Sequence, residues 1–413
     1  MSSCRSVLLA LFLFGTVSCQ QRFRDADAIS KEEKEVVLKQ LSKKLKKSGY
    51  AFNQTFQDIE DRIARHKSYI DTTTHIGSFV KTMKAVLNEY NLSHLWINTP
   101  DEMFVRKQGL GVNLGANVTK TNKGYFVTRI VQGGVADQAG MRTGDILLLK
   151  NGHPIPSSRQ LRGKISEKSV ISLIRGGIQK EVKVRYFKHP LFSMDTLYFL
   201  NQSTAVIKVH TFRKGVYDRD YIASLFAKAQ HAERIVLDLR SNGGGLDTNV
   251  RHLLSMILPS DRVCQYFVYR KDHNAFVNKF GRFPYTIKEL IAYRGREFTP
   301  KYRWNATLYQ GEIMVLIDER SGSGADIFPI CVQDTKRGLI VGTKSLGMVL
   351  HGDRMGLEKG MTLMYPNGES VRLNGIKLEG NGCVPDIKLS REKTANDRFI
   401  HELVSSYPFK NRE

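Results

Sequence analysis

Between Lys31 and about Asn91, apolar residues return every three or four positions: Val36, Val37, Leu41 and Leu45, then Phe79, Met83, Val86 and Leu87. No proline interrupts the stretch. That period gathers the apolar side chains on one helical face, so it predicts a helical region. From Gly109 the period shortens. Tyr125 to Ile130, Asp145 to Leu149, Val170 to Ile174 and Val182 to Val184 read as strands, separated by turn signals at Gly133-Gly134 and Asn151-Gly152. Beyond residue 195 the two patterns alternate. Strands at Thr204 to Val209, Ile235 to Leu239 and Ile313 to Ile317 are interleaved with helices near Asp218 to Ala229, Asp247 to Ile257 and from about Ala325. Such alternation predicts an α/β core. Residues 260–308, basic and aromatic, have no clear period and read as an insertion.

Composition narrows the class. With 413 residues, 41% hydrophobic and 25% charged, the chain can bury a core and is not wholly disordered. Its long apolar run, Val7 to Val17, is too short to span a bilayer, which excludes a polytopic membrane protein. Arg5 precedes that run and small residues, Gly15 to Cys19, follow it. A charged start, a short apolar centre and a small-residue end mark residues 1–19 as an export signal. Cys19 also fits a bacterial lipobox, although Thr16 stands where that box prefers leucine. Lipidation at Cys19 with a membrane anchor, and plain secretion, both stay open. The expected location is therefore periplasmic, outer-membrane-attached or extracellular.

Five cysteines without paired short spacing give neither a disulfide scaffold nor a zinc signature. Lys+Arg exceed Asp+Glu by 63 to 40, a net charge of +23 that suits nucleic acid, anionic membranes or acidic substrates. The basic residues are scattered and no nucleic-acid fold motif accompanies them, so nucleic acid is not expected as a partner. Asn53, Asn91, Asn117, Asn201 and Asn305 head glycosylation sequons, relevant in a eukaryotic host alone.

Two glycine-rich regions carry candidate chemistry. Gly109-Leu110-Gly111-Val112 resembles the carboxylate-binding loop of a PDZ domain, and Val135 to Leu147 resembles its most characteristic stretch. Glycines there let backbone N–H groups converge on a terminal carboxylate, while the adjoining edge pairs with an extended peptide. Further on stand Ile235 to Leu246 with its Gly243-Gly244-Gly245 turn, Val315 to Phe328 with Ser321-Gly322-Ser323-Gly324, and Gly380 to Ile387. A serine on a small-residue turn at a helix start is exposed, with the next backbone N–H pointing into the same space.

In this order, behind a PDZ-like region, these three segments resemble the C-terminal-processing and tricorn-core serine peptidases. The resemblance implies a ClpP/crotonase-like α/β core, an inserted PDZ-like β domain and a helical N-terminal arm. It implies Ser323 as nucleophile, Gly324 and Gly244 as oxyanion donors, and Ser321 as a turn former. The processing peptidases pair the serine with a lysine downstream, but here that position is Met348, which cannot accept a proton. The tricorn branch uses histidine and glutamate instead, and His94 and Glu379 stand at those positions, with Ser93 beside the histidine. His94 would move the proton and Glu379 would orient its ring.

Lys344 is the competing base; His351, His66 and His75 have no motif context and read as surface residues. Asp238 and Arg240 read as structural members of the glycine turn. The expected organisation is a signal over 1–19, a helical region over 20–105 bearing His94, a PDZ-like domain over 106–190, a peptidase core over 191–392 and a tail over 393–413. The expected function is a serine endopeptidase of Ser-His-Glu type, acting on unfolded proteins or on substrates recognised by a free C-terminus, with no cofactor or metal. Two other readings stay open: an inactive PDZ peptide-binding adaptor, and a ligand carrier, because retinoid-binding proteins of the eye resemble the same core.

Overall fold

A computed structural model of the chain describes residues 23–301 and 307–408. The export signal, Cys19, Asn305 and the last five residues lie outside them.

The N-terminal region folds as α1 (Lys31–Ser48), α2 (Ile59–Arg65), α3 (Lys67–Asp71) and α4 (Ile76–Asn88), followed by β1 (Trp96–Asn98) and α5 (Pro100–Gln108). Three of these helices have local start or stop signals. Ser30 and Glu33 form a capping box at the start of α1, and Gly49 ends it. His75 caps α4, and Thr99, Glu102 and Pro100 start α5.

The PDZ-like region follows as β2 (Leu110–Gly111), β3 (Ala116–Thr121), β4 (Gly124–Ile130), α6 (Val135–Gln138), β5 (Ile146–Lys150), β6 (His153–Pro154), β7 (Lys168–Arg175), β8 (Ile178–Arg185) and β9 (His189–Pro190). Strands β3-β4-β5-β7-β8 make an antiparallel sheet with β6 against β5. It touches the next domain through Arg129, which donates to the carbonyls of His210 (3.4 Å) and Ser241 (3.5 Å).

The core contains β10 (Thr196–Phe199), β11 (Thr204–Lys208), α7 (Arg219–Ala229), β12 (Arg234–Asp238), α8 (Asp247–Ser255), β13 (Gln265–Tyr269), α9 (Arg270–Phe280), α10 (Ile287–Arg294), β14 (Arg296–Phe298), β15 (Glu312–Ile317), α11 (Gly324–Asp334), β16 (Leu339–Gly342), β17 (His351–Gly356), β18 (Thr362–Val371), β19 (Ile387–Lys388), α12 (Arg391–Ala395) and α13 (Asp397–Ser406). Its central sheet runs β10-β11-β12-β15-β16-β19, parallel except for β10. The inner strands are apolar on both faces because both are covered. Ile207, Ile235 and Val315 pack toward α7, α8 and α11, while Val206, Val236 and Met314 pack toward Ile400 and Val404 of α13. Arg240 ties that last layer down, pairing with buried Asp238 at 2.7 Å and donating to Asp397 and the Thr394 carbonyl.

A second sheet, β1-β18-β13-β14 with β17 on β18, is antiparallel throughout. It draws strands from both ends of the chain, and Leu363 and Tyr365 of β18 share one core with Phe79 and Val86 of α4. The described part of the aperiodic residues 260–308 is therefore largely regular, with two strands and two helices. Their pattern is weak because β13 gains its order from pairing with β18, about a hundred residues later.

Candidate active site

Ser323 is the residue before α11 and holds φ 53° and ψ −117°, a conformation costly for a side chain with a Cβ. Glycines permit the crowding around it. A Cβ on Gly324 would lie 2.7 Å from Val250 Cγ2, and one on Gly244 would lie 2.6 Å from the Gly322 carbonyl oxygen. The glycine turn after β12 thus abuts the serine turn after β15. Ser321 faces away: fully buried, it donates to the Leu239 carbonyl at 2.9 Å and accepts from the Asp318 N–H at 3.0 Å.

His94 arrives from the other end of the chain, on the turn between α4 and β1, with φ 56°. Its Nε2 is 3.5 Å from Ser323 Oγ. Its Nδ1 is 3.0 Å from Ser93 Oγ, which donates in turn to Glu379 Oε2 at 2.8 Å. The acid therefore reaches the ring through a hydroxyl. This network assigns the ring proton to Nδ1 and leaves the Nε2 lone pair toward Ser323. Glu379 is fixed by the N–H groups of Ser93 (2.9 Å), Val349 (2.8 Å) and Leu350 (3.2 Å). Burial, with the positive neighbours His351, Arg354 and Arg106, pushes the His94 imidazole down to about 4, against a weaker pull from Asp247. Asp326, one turn into α11, binds Ser345 and the Gly347 N–H, steadying the loop that presents Val349 and Leu350.

These groups open onto a cavity of about 320 Å³ lined by His94, Ser323, Gly245, Asp247, His351 and Arg354, among others. No lysine lines it. Lys344 is exposed, and Met348 is 39% exposed and outside the lining. Among the described residues, no group of three acids, histidines or cysteines is placed to hold a metal.

The oxyanion donors differ from expectation. The Gly244 N–H is occupied, donating to Asn242 Oδ1 at 2.9 Å because the asparagine side chain folds back over its own turn. The neighbouring Gly245 lines the cavity, and its nitrogen lies 3.6 Å from a Cβ built on Gly324. Gly324, the first residue of α11, has the unpaired N–H of a helix start.

The expected peptide loop differs as well. Gly109 is the left-handed cap of α5, Leu110 and Gly111 pair with Pro190 and His189, and Asn113 bridges to Arg162. Backbone expected to receive a peptide is thus engaged within the chain; Val112 instead lines a separate pocket of about 430 Å³ with Arg106 and Arg162.

Sequence reasoning missed His351 and Asp247. His351 is no surface residue: its Nδ1 lies 3.3 Å from Asp247 Oδ2, its Nε2 3.0 Å from Ser370 Oγ, and its ring packs on Phe267. Its local sequence, Leu350-His351-Gly352-Asp353, carries no motif; only the β17–β18 pairing brings it to the cleft.

Residues 203–389 match Peptidase family S41 and residues 101–171 match the PDZ domain. A probable CtpA-like serine protease of Staphylococcus aureus (strain N315) is 26% identical over 292 residues, 68% of this chain. The chain spans about half of that relative, 53% of its length. A Staphylococcus epidermidis relative of the same description is 23% identical over 84% of this chain and 66% of its own. Solved structures share the fold. The photosystem II D1 C-terminal processing protease superposes with a TM-score of 0.60 at 14% identity, covering 92% of this chain and 98% of its own. Mature CPAF complexed with lactacystin gives 0.59 at 15% identity, covering 91% and 98%.

Proposed function

We infer that this chain is an exported serine endopeptidase that cuts unfolded or C-terminally recognised proteins through Ser323, His94, Ser93 and Glu379. One observation carries the reading: Ser323 Oγ and His94 Nε2 stand 3.5 Å apart while the far side of the ring is tied through Ser93 to a carboxylate. That separation is loose for proton transfer, as is common before substrate closes the site.

In the forward step His94 Nε2 takes the Ser323 proton as Oγ attacks the scissile carbonyl carbon. Ser93 and Glu379 stabilise the imidazolium that forms. Gly324 N–H, with an N–H of the 243–245 turn, faces the developing oxyanion; losing one such donor costs about 3 kcal/mol. His94 then gives its proton to the leaving amine, and the acyl group stays on Ser323. Water, deprotonated by His94, releases it. No step needs the lysine absent at Met348. The PDZ domain would supply substrate capture, and the export signal with Cys19 would place the enzyme outside the cytoplasm, free or lipid-anchored.

The test is digestion of an unfolded protein by the full chain, Ser323→Ala and His94→Ala, each checked for folding by circular dichroism. Cutting by wild type alone supports the reading. A folded, inert wild type that still binds peptides would replace it with the adaptor.

A further inference from the structure

The basic and aromatic stretch at 260–308 contributes nothing to the Ser323 cavity among the described residues, and the fold presents part of it as a protruding tip. α9 ends at Gly281, whose left-handed φ of 66° turns the chain outward, and Thr286 caps the start of α10. Between them Phe283 and Tyr285 are 69% and 76% exposed, and Phe280 beside them is exposed too. Buried Pro284 pins the loop from below. Arg282 holds it in shape: its guanidinium lies 4.3 Å from the Tyr285 ring centroid and donates to Glu289 and to the Phe283 carbonyl, each at 3.0 Å. Glu289 also accepts the Tyr285 N–H at 3.2 Å. The rings are thus held out by bonds of the loop itself.

A second apolar tip stands beside the first. Leu373 and Ile376 are exposed on the turn after β18, and Lys288 of α10 packs on that turn, where a Cβ on Gly375 would lie 2.4 Å from Lys288 Cε. Charge follows the same surface. Residues 270–294 hold six Lys and Arg against two acids. Both acids are engaged: buried Asp272 binds Arg296 at 2.9 Å, and Glu289 holds Arg282. Lys279, Lys288 and Arg294 are exposed, and none forms an ion pair among the described residues. Lys279 lies 5.2 Å from the Phe280 ring centroid and 5.1 Å from that of Tyr293, on which Arg294 also lies at 5.3 Å. Cations and rings are therefore presented together. Exposed apolar side chains rimmed by unpaired cations mark an interaction surface, and that chemistry is complementary to a bilayer, apolar within and anionic at its headgroups.

We propose that the α9–α10 loop, with the 373–376 turn beside it, docks this protein on a bilayer that bears anionic phospholipids: Phe280, Phe283 and Tyr285 enter the headgroup layer while Lys279, Lys288 and Arg294 meet lipid phosphates. The contact uses neither the cleft nor a substrate, so it stands apart from the peptidase reading. With an acyl chain at Cys19 it would supply the second attachment that stable anchoring takes.

Binding is measured on the full chain carrying Cys19→Ser, which removes lipidation, with vesicles of phosphatidylcholine alone or mixed with phosphatidylglycerol. The mixed vesicles should bind about tenfold tighter at low salt, and the gap should close as salt rises. Phe283→Ser with Tyr285→Ser should weaken binding about tenfold at unchanged charge. Lys279→Gln with Arg294→Gln should erase the preference for the mixed vesicles and spare binding to the neutral ones. All four side chains point to water, so circular dichroism and melting temperature should not change. Tyr285→Trp reads the contact itself. Its added emission should move to the blue and be quenched by brominated lipid, which insertion of the apolar run at residues 7–17 cannot bring about at that position. Binding that both double variants retain in full, or added emission that ignores the vesicles, overturns the docking surface. A chain that ignores both vesicles yet dimerises until Phe283→Ser with Tyr285→Ser separates it would give the patch to a second copy instead.

Discussion

Two glycine-rich segments looked alike as backbone donors, and the fold treats them in opposite ways. Around Ser323 the glycines bring two turns so close that the serine is held in a strained conformation beside the free N–H of Gly324. At Gly109 to Val112 the same residue type ends a helix and then pairs with His189 and Pro190 of the same chain. Glycine permits close approach; what approaches is decided elsewhere in the sequence. In the cleft beside Ser323 nothing among the described residues fills the space, and in the PDZ-like loop a strand about eighty residues later does.

The comparison breaks most visibly at the nucleophile. Ser323→Ala should lower kcat by about 10⁶-fold with little change in melting temperature, and His94→Ala should match it, since such residues act as a unit. Equal and complete loss in both, read from digestion rates, sharpens the contrast; a mild effect of His94→Ala breaks it. Ser93→Ala should cost less, about 10²-fold, by cutting the link between ring and Glu379, and Ser93→Thr should recover part of it.

pH gives the next effect. The base must be neutral, and burial lowers its affinity for protons, so kcat/KM should hold between pH 6.5 and 5 and fall near 4. In the unfolded chain this histidine takes its proton near 6.5, so the fold loses stability as pH falls from there toward 4. An acid limb centred near 6.5 would mean a solvated ring.

The smallest effect concerns the PDZ edge. Leu191 N–H donates to the Gly109 carbonyl at 2.9 Å, so a bound C-terminal peptide that takes this edge should speed Leu191 amide exchange. Unchanged exchange at saturating peptide would place the peptide elsewhere, with the pocket by Val112 and Arg106 the first place to look.

Much of the fold was legible where order is local. The three-to-four period of the N-terminal region and the apolar runs at Val206, Val236 and Val315 reflect burial that each segment carries in its own spacing. The segment 260–308 was not, because β13 is ordered by β18. At the site, Ser323, His94 and Glu379 could be named from motifs and are brought together. His351, Asp247 and Arg354 could not, since β17 is glycine-broken and Asp247 reaches His351 from the start of α8, about a hundred residues earlier. The Gly244 N–H was misjudged for a related reason: a motif marks a turn but not which side chain folds back on it.

The central claim is that the His94–Ser93–Glu379 relay makes Ser323 reactive. A fluorophosphonate probe on the folded full chain tests it directly, with the labelled residue found by mass spectrometry. The account predicts label on Ser323 in wild type and labelling at least about 10³-fold slower in His94→Ala. Label on another serine, or labelling of Ser323 at the wild-type rate without His94, would contradict it.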